Sequence, residues 1–524
     1  MPRAVFFDNI PLTLALYAAL CACAALASYL PFQVLQLSGY KNKNFLRQIQ
    51  RADKFYAPLT LASGLIPVCV LAVLYQRGVP SSGEISLGVS GALALFTAAR
   101  DFKRKKKTPL VFTARIKRAY AGYFAAALLA CMALGQVCVL LPALCAPIAF
   151  AAVNLLKPVE LCIARSYTSR AARSLKSQEN LIRIGITGSF GKTSVKNILA
   201  AMLAKKYNVL STPASYNTPL GIARSVLSSL QPGTEVFIAE MGARRKGDIA
   251  KLCAIVRPQW GIITSVAHQH IQTFKTVHTV AKTKFELYDF LKRNDGTCVL
   301  NIGSTHIEKH LKGREYPGCI AVGLDGGGGV YASDISAGSH GLSFTLDFGG
   351  ETAKCRTHLL GRHSLTNILL SACLAYKLGV SAQCIVRAAE ELEPVPHRLQ
   401  LITAGGLNII DDSYNASPDG SAAALEVLSQ FPGNKIIVTP GLVELGHMEN
   451  RQNQLLGERI AKVCDYAVLV GARATFMRVG AISCGMSAEK IFTVQSLSEA
   501  QSVLSKIARP GDTVLFENDL PDNL

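Results

Sequence analysis

Charge is scarce in this 524-residue chain: Asp, Glu, Lys and Arg make up 17% of it, against roughly 25% in soluble globular domains. Acidic residues are scarcest, 35 against 55 Lys and Arg, and aromatic residues reach only 7%, with one tryptophan. A disordered chain is excluded all the same, because 50% of the residues are hydrophobic. Paired cysteine motifs are missing as well. Fifteen cysteines, six of them before residue 157, contain no CxxC pair and keep no regular spacing. That argues against a disulfide framework or a zinc ribbon and leaves buried, reduced thiols, which suit a cytosol-facing protein.

The basic excess is local. Through residue 175 there are 20 Lys/Arg and 5 Asp/Glu, a net +15, whereas the remaining 349 residues hold 35 and 30, a net +5. Residues 1–156 are long apolar stretches between basic clusters, so no nucleic-acid footprint is needed to explain the charge. A membrane span needs about 20 apolar residues. Pro11 to Leu35, Ala57 to Leu74 and, marginally, Ile85 to Ala99 qualify; the uncharged run Ala119 to Leu156 suits two helices turning near Gly135–Gln136, or one span plus an interfacial or re-entrant piece. Lys41, Lys43, Arg47, Arg51 and Lys54 follow the first run, Lys103 to Lys107 with Arg115, Lys117 and Arg118 follow the third, and Lys157, Arg165, Arg170 and Arg173 follow the last. Only Arg77 separates the second from the third. By the positive-inside rule this alternation gives about five transmembrane helices within 1–156, with the N-terminus outside and residues 157–524 in the cytoplasm. The Lys103–Lys107 run then reads as an orientation signal touching anionic lipid in the bilayer. A cleavable signal peptide is not expected, since more spans follow.

Leu181 to Ile186 reads as a short strand running into Thr187-Gly-Ser-Phe-Gly-Lys-Thr193 and a helical pattern from Val195 to Leu203. A strand, a glycine loop and a helix in that order cradle phosphate. Gly188 and Gly191 let backbone N–H groups face phosphate oxygens, the helix N-terminus favours an anion, Lys192 places a point charge on the terminal phosphates, and Thr193 offers a hydroxyl to Mg²⁺. Ile186 stands where the strict pattern has glycine. A second strand, Val236 to Glu240, ends in a carboxylate at the edge of an α/β sheet where ligands bind. Glu240 is either an oxygen ligand for Mg²⁺ or a solvated strand end. A third strand, Trp260 to Ser265, leads to Ala267-His-Gln-His270 and then to Ala281-Lys-Thr-Lys-Phe-Glu286. Its two histidines are incidental surface residues or, taken with the phosphate loop and Glu240, part of one metal and phosphate site.

With these motifs go YNTPLG (216–221), AEMGARRKGDI (239–249), AHQHIQTFKT (267–276), LLGRHSLTN (359–367), PHRLQ (396–400) and IDDSYNASP (410–418). In this order they resemble the Mur ligase family, ATP-dependent amide-bond ligases of peptidoglycan precursor synthesis, and most closely its D-alanyl-D-alanine-adding branch. The apolar runs give an N-terminal α-helical transmembrane bundle (1–156) and a basic linker (157–179), after which the resemblance implies two α/β domains: a P-loop-type central ATPase domain (180–395) and a smaller Rossmann-like C-terminal domain (396–524). It implies an ATP site of Thr187, Gly188, Ser189, Gly191, Lys192, Thr193 and Ser194, with Asn367 reading the adenine, Asp412 near the ribose, and Arg398 reaching the terminal phosphate from the C-terminal domain. Thr193, Glu240 and His270 would hold two Mg²⁺ ions; alignment on Phe274 selects His270 rather than His268. Lys284 matches a lysine that is carbamylated in several members, its alternative being a solvated helix-face lysine. Lys192, His270, Lys284 and Arg398 are thus the expected catalytic set. The implied reaction is attack of an acceptor carboxylate on the γ-phosphorus of ATP, followed by displacement of phosphate from the acyl phosphate by an amine. The implied partners are a muramyl-peptide acceptor, nucleotide- or lipid-linked, and D-Ala-D-Ala, at the bacterial cytoplasmic membrane and without nucleic acid.

The chain departs from the family pattern in two places. The linker leaves no room for the usual uridine-nucleotide domain, so the expected spans either tether the ligase or help present a lipid-linked muropeptide. Ser364 stands where many members have asparagine. Beyond residue 400, alternating apolar strands and helices give a small doubly wound domain. Two other readings stay open: a superfamily ligase acting on another carboxylate, and a membrane-bound ATP-binding regulator, against which the intact second-metal set argues.

Overall fold

The computed structural model describes residues 10–40, 45, 48–49, 56–79, 81–103, 109–267, 271–313, 315–324, 329–414 and 416–517. Contacts divide the chain into two compact units, meeting at Ala164/Arg165 within the helix Lys157–Lys176.

The first unit is helical: Ile10–Ala27, Tyr29–Leu37, Tyr56–Gln76, Ser82–Lys103, Ala114–Leu134 and Cys145–Leu155. Its core gathers Phe32, Leu35, Ile116, Tyr123, Cys131 and Cys145. Polar side chains inside it bond to neighbouring backbone, Ser86 Oγ to the Pro67 carbonyl (2.6 Å) and Ser90 Oγ to that of Val139 (2.7 Å), as a water-poor interior demands. The outer face shows Leu61, Leu65, Phe96, Leu129 and Met132, each at least 60% exposed. The expectation of five spans is met only in part. Among the described residues two helices are long and apolar enough to cross a membrane, Pro58–Gln76 and Ser82–Lys103, or up to four if each bent pair is one span. The first apolar run breaks at Ser28, bending Leu14–Ala27 against Tyr29–Leu37 by 42°. The run after Ala119 breaks into a 3₁₀ turn at Gly135–Leu140, and the helix before it begins among Arg115, Lys117 and Arg118, which shortens its apolar stretch. Residues expected as a linker are helical over Lys157–Lys176; Ala171 and Leu175, one turn apart, are buried in the core of the second unit.

The second unit holds two large, mainly parallel sheets. In the first, β1 (Ile182–Thr187), β2 (Val209–Ser211), β3 (Val236–Glu240), β4 (Trp260–Ile263), β5 (Thr297–Asn301) and β6 (Cys319–Val322) lie in the order β2-β3-β1-β4-β5-β6. Helices cover both faces, so β3 is buried along its whole length and its sequence is continuously apolar up to Glu240. A small antiparallel sheet follows: β7 (Tyr331–Gly338), β8 (Gly341–Asp347) and β9 (Thr352–Thr357). The second large sheet contains β10 (Gln400–Ala404), β11 (Leu407–Asp412), β12 (Lys435–Thr439), β13 (Tyr466–Val470), β14 (Ile491–Val494) and β15 (Thr513–Glu517), in the order β10-β11-β15-β12-β13-β14 with only β10 antiparallel. All fifteen cysteines are free thiols.

Candidate active site

Strand β1 ends at Thr187, opposite the end of β3: Ile186 pairs with Glu240. That register sets the phosphate loop beside the Glu240 carboxylate, at the C-terminal edge of the sheet. The helix Lys192–Leu203 starts at once, with Gly191 as its cap at φ 79°. A Cβ at Gly191 would sit 2.8 Å from Asn367 Oδ1, so only glycine lets the loop close against the helix Arg362–Lys377. The loop is braced from below. Ser189 N donates to the Ser265 carbonyl (2.9 Å), Phe190 N to Ser265 Oγ (2.8 Å), and Thr187 Oγ1 to the Met241 carbonyl (3.0 Å). Thr187 and Ser189 are buried, so their hydroxyls hold the loop rather than face a ligand. Lys192 folds over it, Nζ donating to the carbonyls of Gly188 (2.8 Å) and Ser189 (3.0 Å). Burial pulls its ammonium down to about 8, against the opposing pull of Glu240. An arriving phosphate would replace carbonyl dipoles with full negative charge.

Glu240 is 1% exposed and fully engaged. Thr193 Oγ1 donates to its Oε2 (2.9 Å), Asn217 Nδ2 to its Oε1 (3.1 Å), and Lys196 Nζ lies 3.4 Å from Oε2. The solvated-strand-end reading is therefore excluded. Thr193 and Glu240 give two adjacent oxygen donors beside the phosphate loop, a set that fits Mg²⁺. Among the described residues no cluster of three or more His, Cys, Asp or Glu is assembled; His270 and His268 lie outside the described residues. Lys284, at the end of the helix Val277–Lys284, is 2% exposed. That is not a solvated helix face. Burial, then the charge of Lys192, holds its amine well below the usual lysine range.

Arg398 enters from the C-terminal domain. Its Nη2 is 3.5 Å from Thr193 Oγ1. The residues on either side are left-handed, His397 at φ 62° and Leu399 at φ 46°, each at a cost of about 1–2 kcal/mol. The acidic pair of the 410–418 motif holds them there: His397 Nδ1 lies 2.8 Å from Asp411 Oδ2, and Leu399 N donates to Asp412 Oδ1 (3.2 Å). Burial pushes the Asp412 carboxyl up to about 6, partly offset by a hydrogen bond with Glu517. Ser194 sits in the first helical turn after the loop. Ser364 donates to the Leu360 carbonyl of its own helix (2.7 Å), so that hydroxyl is occupied locally.

A profile of the Mur ligase middle domain matches residues 186–375, and one described as Mur ligase, glutamate ligase domain matches 397–517. The UDP-N-acetylmuramoyl-tripeptide–D-alanyl-D-alanine ligase of Mycobacterium bovis is 31% identical over 378 residues, 68% of this chain and 73% of that one. The chain belongs to the Mur ligase family. The ligase of the same name from Treponema pallidum is 32% identical over 370 residues, 68% of this chain and 77% of that one. Among solved structures, the MurF ligase of Thermotoga maritima in complex with ADP superposes with a TM-score of 0.60 at 27% identity, covering 68% of this chain and 80% of its own. Both profile matches fall in the second unit, whereas the first unit is helical. The structure brings Lys192, Thr193, Glu240, Asn367 and Arg398, all singled out from the sequence, together around one loop. The sequence reading did not single out Lys196, and it gave no role to Asn217, Ser215 or Tyr414. The signal for Lys196 was weak: a lysine at a helix position facing the core.

Proposed function

We propose that this Mur ligase joins D-alanyl-D-alanine to the free carboxylate of a muramyl tripeptide, driven by ATP cleavage to ADP and phosphate. The observation that carries this reading is the convergence of Arg398 from one domain and Glu240 from the other on the Thr193 hydroxyl. In this arrangement the helix Lys192–Leu203 and the Lys192 ammonium receive the β- and γ-phosphates, and Arg398 neutralises charge on the transferring phosphoryl group. Thr193, Glu240 and, by resemblance, His270 would hold Mg²⁺, which supplies further neutralisation of the phosphates. The acceptor carboxylate attacks the γ-phosphorus and ADP leaves; the amine of the dipeptide then attacks the acyl carbon, phosphate departs, and the amine loses its proton. The C-terminal domain, lying over the loop, excludes water from the acyl phosphate. Burial lowers the Lys284 amine toward the neutral form, the one that adds CO₂, and we propose it as a carbamylation site.

The first unit is proposed to sit in the bacterial cytoplasmic membrane, with the second in the cytoplasm; the support is its exposed apolar helices and the flanking basic clusters. The exposed thiol of Cys484 should then react with an impermeant maleimide in inside-out vesicles and not in right-side-out ones. A lipid-linked acceptor is a second reading, favoured by the helical unit standing where the family's nucleotide-binding domain is expected. Soluble UDP-linked and undecaprenyl-linked tripeptides offered in parallel decide it. Efficient turnover of the soluble acceptor removes the lipid reading.

A further inference from the structure

The loop between β2 and the helix Pro219–Ser229 takes no part in the steps above, yet its residues face several parts of the site. From beneath, Lys196 Nζ donates to the carbonyls of Thr212 (2.8 Å) and Ala214 (2.7 Å). Ala214 is left-handed at φ 41°, a conformation a non-glycine residue holds only when its surroundings impose it. The loop is therefore kept in one shape. Its Asn217 reaches Glu240. Its Ser215 hydroxyl bonds with the hydroxyl of Tyr414, 199 positions away in the C-terminal domain. The Tyr414 ring lies against the Arg398 guanidinium, 4.4 Å from centroid to Cζ, within cation–π range. Arg398 reaches Thr193, and Thr193 reaches Glu240. These contacts form a closed ring through both domains.

We propose that Ser215 and Tyr414 are positioning residues, a latch that holds the C-terminal domain on the central domain and aims Arg398 at the terminal phosphate of the nucleotide. The proposal rests on the ATP-ligase reading for its reaction, though not for its geometry. Tyrosine suits both duties: the ring orients the guanidinium and the hydroxyl ties it to the opposite domain. Phenylalanine would keep the first and lose the second.

The test is a double-mutant cycle in the full chain, reading Mg²⁺-dependent affinity for the nonhydrolysable analogue AMP-PNP by calorimetry, with kcat alongside. Ser215→Ala and Tyr414→Phe should each weaken AMP-PNP about fivefold, the worth of one hydrogen bond, and lower kcat while the acceptor KM stays put. The double variant should be no worse than either single, because one bond is being removed twice. ADP, which lacks the γ-phosphate, should respond less than twofold, and Ser215→Thr should restore affinity. Unchanged singles, or a double variant about 25-fold weaker, would overturn the latch. If the unmodified chain binds AMP-PNP but releases no acceptor-dependent phosphate, the ligase reading fails while the cycle still judges the latch; if it does not bind AMP-PNP, both fail.

Discussion

Replacing Lys196 by methionine isolates the pair at the centre of the site. Lys196 is 1% exposed, and its ammonium satisfies Glu240 and two loop carbonyls. Methionine fills similar space but supplies no charge or donor. Glu240, itself 1% exposed, would keep Thr193 and Asn217 and lose the cation nearest to it. Breaking a buried pair on one side costs about 3–5 kcal/mol, which at roughly 2–4 °C per kcal/mol for a domain of this size lowers the melting temperature by about 10 °C. The double variant Lys196→Met/Glu240→Gln removes both charges and leaves amide-to-hydroxyl bonds in place, so most of that loss should return. Urea unfolding followed through Trp260, the single tryptophan and half-buried on β4 of the same sheet, reads the central domain directly. A cost below about 1 kcal/mol for the single change, or a double variant worse than it, would refute the reasoning.

Gly191→Ala should cut AMP-PNP affinity at least about tenfold, because the left-handed φ and the 2.8 Å approach of Asn367 both exclude a side chain; titration calorimetry checks it, and unchanged affinity would show the loop to be pliable. Asp412→Asn should raise stability by about 1 kcal/mol at pH 8 while lowering ATP turnover. The sign follows from a carboxyl pushed up to about 6 in the fold: the native state prefers the proton, so Asp412 costs stability as pH rises from its unfolded value through 6. His363 behaves in the opposite way, since burial pulls its imidazole down to about 4. The unfolded chain takes up the proton first, and stability is lost as pH falls from about 6.5 to 4, by at most about 3 kcal/mol; His363→Gln should flatten that slope, and an unaltered slope would assign it to other groups.

What the sequence made legible was local. The phosphate loop spans seven consecutive residues, and a glycine loop between an apolar strand and a helix has few other uses, so Lys192 and Thr193 could be placed at once. The rest depended on distant pairings. Lys196 meets carbonyls 16 and 18 positions away across a turn, and no periodicity announces that. Asp412 and Glu517 become neighbours only because β11 pairs in parallel with β15. In the first unit, apolar run length set the helical class but not the breaks at Ser28 and Gly135. A hydropathy count averages such breaks away, as it does the cations of Arg115, Lys117 and Arg118 at the start of the helix Ala114–Leu134.

The most direct test of the central claim is the stoichiometry of ligation by the full chain, given ATP, Mg²⁺, muramyl tripeptide and D-Ala-D-Ala. Mass spectrometry of the peptide and a phosphate assay should give one pentapeptide per phosphate released, with Lys192→Ala abolishing both. Phosphate release that ignores the acceptor, or no amide product under conditions where the nucleotide binds, would contradict the account.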